Sequence, residues 1–106
     1  MTDSLAEPQE ATTAVVADYL KKSFPSLLVE HIWDPSITSE RFTLFTEDRG
    51  GVVHTVIVNG EFLRENSRSS PSTIAKVLNA YEVTAMMKKN GKKTVTVTTH
   101  YAIDVV

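Results

Sequence analysis

The stretch FTLFTEDRGGVVHTVIV, residues 42–58, holds two runs of β-branched and aromatic residues joined by Glu47-Asp48-Arg49-Gly50-Gly51. Such side chains suit a pleated, half-buried surface and the polar, glycine-containing link suits a reversal, so the stretch predicts a β-hairpin. Strand alternation assigns Phe42, Leu44, Val52, His54, Val56 and Val58 to one face, and Thr43, Phe45, Val53, Thr55 and Ile57 to the other. Both faces are therefore apolar. Every other element has to pack on this hairpin or extend it.

Upstream, Leu27 to Trp33 alternates as a strand, with Leu27, Val29, His31 and Trp33 on one face and Leu28, Glu30 and Ile32 on the other. Asp34-Pro35-Ser36 ends it, because proline cannot donate to a ladder and restricts the residue before it. Before that strand, Ala11, Val15, Val16, Tyr19, Leu20 and Phe24 recur at helical spacing. This predicts a helix starting near Pro8, with Lys21 and Lys22 complementing the dipole in its last turn and Pro25 stopping it. Residues 1–7 are small and polar and read as a frayed tail.

Downstream, Asn59-Gly60 is the usual signal for a two-residue hairpin turn, after which Glu61-Phe62-Leu63 reads as a short third meander strand or simply as the exit from the second, the short extension being favoured. Ser70 reads as an N-cap with Pro71 in the first turn of a second helix, whose stripe is Ile74, Val77, Leu78, Tyr81 and Ala85. Residues 83–89 admit two readings, a continuation of that helix to Lys89 or a strand turning at Asn90-Gly91; helix-forming Met86, Met87, Lys88 and Lys89 favour the first. Thr94 to Val106 alternates throughout, with Val95, Val97, Tyr101, Ile103 and Val105 on one face, and predicts a long strand buried on one side. The sum is a single α+β domain over 1–106: an antiparallel sheet of four to five strands with two helices mainly on one face, in the order α-β-β-β-α-β.

Composition excludes several classes of function. With 106 residues, 42% of them hydrophobic, the chain can bury a core without staples, and the absence of cysteine removes disulfides, thiolate nucleophiles and cysteine zinc sites. Apolar runs are too short to span a membrane and Met1 to Glu10 is acidic, which points to the cytosol and away from the membrane. The net charge of −2 conceals an asymmetry: nine acidic against four basic residues through Asn59, then seven basic against four acidic from Gly60 on. A chain so divided can pair its own halves or a second copy.

No glycine-rich phosphate loop and no nucleophile elbow is present, so no nucleotide cofactor is indicated. His31, His54 and His100 lack any local metal-ligand spacing. Glu47-Asp48, and Glu61 with Glu65, sit in polar surroundings that offer nothing to raise a carboxyl pKa for acid catalysis. The order helix, three strands, helix resembles the double-stranded RNA-binding domain in order alone. Ser70-Pro71-Ser72-Thr73 lacks the basic cluster which that family implies at its second helix, and the strand from Thr94 is extra to it.

Two surfaces remain. Phe45, Val53 and Ile57, joined by Trp33 at a strand end and by Val83 and Met87 opposite the second helix's stripe, form a candidate apolar interface, because two helices cover only one sheet face. Arg64 and Arg68 before the second helix, with Lys88, Lys89, Lys92 and Lys93 around Asn90-Gly91, form a candidate anion or nucleic-acid contact. The sequence thus points to a non-enzymatic binding or assembly module, a homodimer or a partner of another protein, ahead of an accessory nucleic-acid binder.

Overall fold

In a computed structural model, which describes residues 10–90 and 94–105, five strands form one sheet in chain order, β1-β2-β3-β4-β5. The expected tail, the helix start at Pro8, and Lys92 and Lys93 lie outside the described residues. Helix α1 (Glu10–Ser23) buries Thr12, Thr13, Val16, Ala17 and Leu20, while Ala11 is exposed, so its inward stripe is rotated toward the two threonines. Phe24 adds one more helical hydrogen bond, to Leu20 O, before Pro25.

Strand β1 (Leu28–Asp34) pairs antiparallel with β2 (Ser39–Phe45), from Leu28 opposite Phe45 to Asp34 opposite Ser39. The turn between them closes where the Asp34 carboxylate accepts from the Ser36 amide at 3.0 Å and the Ser36 hydroxyl at 2.6 Å. β2 therefore begins before Phe42 and carries Glu40 into the sheet. Strand β3 (Val52–Asn59) pairs antiparallel with β2 as the hairpin reading requires, with one correction. A bulge at Leu44/Phe45 sets Val52 opposite Phe45, so Val52 is 51% exposed instead of facing the core with His54 and Val56.

The expected hairpin turn at Asn59-Gly60 is a helix start. Asn59 caps α2 (Gly60–Glu65), its side chain accepting from the Glu61 amide at 2.7 Å, and Phe62 and Leu63 enter the core in place of a third meander strand. Gly60 is required by close approach: a Cβ there would lie 2.7 Å from Thr38 O and 2.9 Å from the Trp33 ring. Ser70 caps α3 (Pro71–Ala80) as expected, accepting from the Thr73 amide. The helical reading of residues 83–89 holds, but the helix breaks at Tyr81-Glu82, where Glu82 takes φ 60°, and restarts as α4 (Val83–Asn90). The break shifts the inward phase: Val83 and Met87 are each 1% exposed and belong to the core, while Ala85 points outward.

The crossover through α2, α3 and α4 returns the chain so that β4 (Thr94–Val97) joins β3 in parallel, making the expected antiparallel sheet a mixed one. The expected long final strand is a hairpin, β4 turning at Thr98–Tyr101 into β5 (Ala102–Val105), with Tyr101 exposed in the turn. Phe42, Leu44, Val56, Val58, Val95 and Val97 line the covered side of this α+β sheet, against Leu20, Phe62, Leu63, Ile74, Leu78 and Met87 from the helices.

Candidate functional site

Strand alternation leaves the second face of the sheet to Leu28, Glu30, Ile32 and Asp34 of β1, Arg41, Thr43 and Phe45 of β2, Thr55 and Ile57 of β3, and Thr94 and Thr96 of β4. Among the described residues no helix lies on it. Along β3 from Val53, along β4 and along β2 from Glu40 their burial alternates with that of the core positions, and Ile32 of β1, next to Arg41, is 68% exposed. Toward the β1 edge this face dips into an open hollow of about 550 Å³ whose lining includes Glu30, Ile32, Arg41, Thr43, Phe45 and Arg49.

Each arginine is tied to an acid of β1. Arg41 Nη2 lies 3.1 Å from Asp34 Oδ2, and Arg49 pairs with Glu30 while its guanidinium carbon sits 5.4 Å from the Phe45 ring centroid. The Ser36 hydroxyl and then the Arg41 guanidinium hold the Asp34 carboxyl below its ordinary value. In the β2–β3 loop the Thr46 hydroxyl and the Gly50 amide do the same for Asp48, and Arg49 adopts φ 59° to complete the turn. The face is thus apolar with balanced, internally paired charges.

The structure brings Phe45, Val53 and Ile57 to this face, half-buried. It removes Trp33, which packs half-buried on the covered side beside Gly60, and it removes Val83 and Met87 to the core. Ile32, Val52, Arg41 and Arg49 were missed as parts of one surface. The alternation of β1 already set Ile32 opposite Trp33; only the β1–β2 register, absent from the sequence pattern, joins it to Arg41.

The candidate basic contact is divided. Arg64 ends α2 and Arg68 precedes α3, both exposed, whereas Lys88 and Lys89 close α4. Lys88 Nζ lies 5.7 Å from the centre of the Phe24 ring, which brings the α4 lysines to the end of α1 that carries Lys21 and Lys22. The histidines stay apart: His31 bonds Glu40, His54 is buried with its ring 4.9 Å from that of Phe24, and His100 is exposed in the β4–β5 turn. Among the described residues no three potential ligands gather for a metal.

Fold and surface together define a small α+β domain with one covered and one open sheet face. No protein-family model, curated protein or solved structure matches the chain.

Proposed function

We propose that this chain is a non-enzymatic binding or assembly module whose contact surface is the open sheet face. The observation that carries the reading is the grouping of Ile32, Val52, Phe45, Val53 and Ile57 on a face that no described helix covers. Contiguous apolar surface of this kind on a small domain marks a contact site, and the polar pairs around it suit the rim of an interface. No helix among the described residues is long and apolar enough to cross a membrane.

The test compares the chain with a double variant, Ile32→Thr with Ile57→Thr, which keeps strand propensity but removes apolar surface. At a concentration where sedimentation shows a monomer, the native chain is expected to bind the apolar dye anilinonaphthalene sulfonate. The variant loses most of that signal while it stays folded, with unfolding stability lowered by no more than about 1.5 kcal/mol. A native monomer that leaves the dye dark overturns the reading.

One observation favours a second reading, an accessory anion or nucleic-acid binder: Lys88 folds over the ring of Phe24, next to the last turn of α1 with Lys21 and Lys22, of which Lys22 is paired with Asp18. Glu47 and Asp48 line a shallow hollow with Ser26 and Leu27 in the adjoining turn, which opposes a polyanion there. Nucleic-acid binding at low salt that weakens when Lys88 and Lys89 become Ser would support it.

A further inference from the structure

β1 is an edge strand: β2 pairs with it along one side, and among the described residues no strand pairs with it along the other. Its seven residues pair with β2 without a bulge from Leu28 to Asp34, and none of them is proline or lysine. Proteins commonly blunt a free edge with such devices, because its outward N–H and C=O groups template another strand. The opposite edge, β5, is only four residues long.

The middle of β1 is open from both sides. Glu30, His31 and Ile32 are exposed in succession, although neighbouring residues of a strand point to opposite faces. His31 faces the same side as Phe42, its partner on β2, which is 0% exposed; the helical layer therefore seals β2 and leaves the centre of β1 bare. The same three residues line the hollow of about 550 Å³. One hollow takes in residues of both faces only where it meets the backbone between them, so it opens onto the edge itself.

A strand is what fits such an edge, and the charges select its kind. On the open side the outermost row is Glu30, Ile32 and Asp34: acid, apolar and acid at alternate positions. Glu47 and Asp48 stand beyond the other end of β1, beside Leu27. Against these four carboxylates stand two guanidiniums, Arg41 on β2 and Arg49 in the β2–β3 loop, which leaves two negative charges in excess along the edge. A second copy's β1 brings the same acids, so like charge opposes self-pairing. A strand with bases opposite Glu30 and Asp34 is attracted.

We infer that the free edge of β1 takes up an extended segment of another protein as an added strand, with alternate side chains basic, apolar and basic opposite Glu30, Ile32 and Asp34. Backbone hydrogen bonds supply the attachment and the carboxylates choose the partner. The inference goes beyond the open face as a contact surface, since the edge can be filled whether or not that face is covered.

The test measures anisotropy of a fluorophore-labelled, amidated peptide TKTVTKT at low salt. The native chain is expected to bind it at least about tenfold more tightly than TETVTET, and Glu30→Lys to weaken its binding by about tenfold. That variant stays folded, since the Glu30 side chain is 53% exposed and its ion pair contributes little to stability. N-methylating the peptide at its even or at its odd positions separates strand addition from attraction by charge. One set of amides faces β1 and its methylation abolishes binding, while methylation of the other set leaves binding in place. Amide exchange over residues 28–34 slows when the unmethylated peptide binds. Two methylated peptides that behave alike overturn strand addition, and TETVTET binding as tightly as TKTVTKT overturns the basic partner. A native chain that binds the dye but neither peptide overturns the edge as a site and leaves the open-face reading standing. Peptide binding by a chain that leaves the dye dark supports the edge and overturns the open face alone.

Discussion

Glu40 lies on the covered side of β2, 5% exposed, opposite Trp33 on one neighbouring strand and Val58 on the other. Its Oε2 is 2.6 Å from Nδ1 of His31, so a buried carboxylate is satisfied by a ring that itself reaches solvent. Burying an acceptor without a partner costs about 1–3 kcal/mol, more when it is charged. His31→Ala is therefore expected to lower unfolding stability in urea by about 2 kcal/mol, and by more than Glu40→Gln, which keeps an acceptor and loses the charge. Equal losses would mean that the carboxylate is supported elsewhere. The alternation that put Phe42 on the core face puts Glu40 there too, two residues earlier; it was hidden because the strand was started at Phe42. Asp34, half-buried, and Asp48, exposed, are held instead by hydroxyl and amide donors that favour the charged form. Both folded values lie below the ordinary 3.8. Their contribution is accordingly complete above that value and disappears as pH falls through the lower folded one. Stability measured against pH should decline on acidification below about pH 4, and decline less steeply in Asp48→Asn.

At the scale of elements, the break between α3 and α4 decides which side chains the helical segment buries. Glu82 sits just past the C-cap Tyr81 with φ 60°, a left-handed conformation that strains a residue with a Cβ and that helices commonly end on glycine to avoid. Glu82→Gly is expected to raise stability by about 0.5–1 kcal/mol, the relief of strain exceeding the entropy glycine adds to the unfolded chain. A loss on thermal unfolding would show that the Glu82 side chain supplies something the backbone does not. This break also explains why residues 83–89 were legible as helix but not as core. The period of Ile74, Leu78, Val83 and Met87 shifts phase at a residue that is neither glycine nor proline, so the pattern gave no warning, and Val83 and Met87 looked like an outer patch. Asn59-Gly60 failed for a different reason. Asparagine is equally at home capping a helix and opening a hairpin turn, and only the closeness of Thr38 and Trp33 to Gly60 selects the cap.

At the scale of the molecule, alternation along single strands made the two faces of the sheet readable before any neighbour was known, which is why Phe45, Val53 and Ile57 were correctly set apart from Phe42, Leu44 and Val56. Strand neighbours are a non-local property. Nothing between residues 60 and 93 states that the crossover returns β4 parallel to β3, so the row of Thr43, Thr55 and Thr94 exists only in the folded chain. The division into one covered and one open face carries a mutational consequence. Leu44 and Met87 are 0% and 1% exposed within the single core, and truncating such residues leaves a cavity that packed neighbours cannot fill. Leu44→Ala and Met87→Ala are each expected to cost about 2–5 kcal/mol in urea unfolding of the monomer. Ile57→Ala, although it shortens a side chain of β3 between two core valines, should cost less than about 1.5 kcal/mol, because its outer surface is already in contact with water. Ile57→Ala as damaging as Leu44→Ala would mean that the second face is sealed within the chain itself, and its apolar side chains would then belong to folding instead of to association.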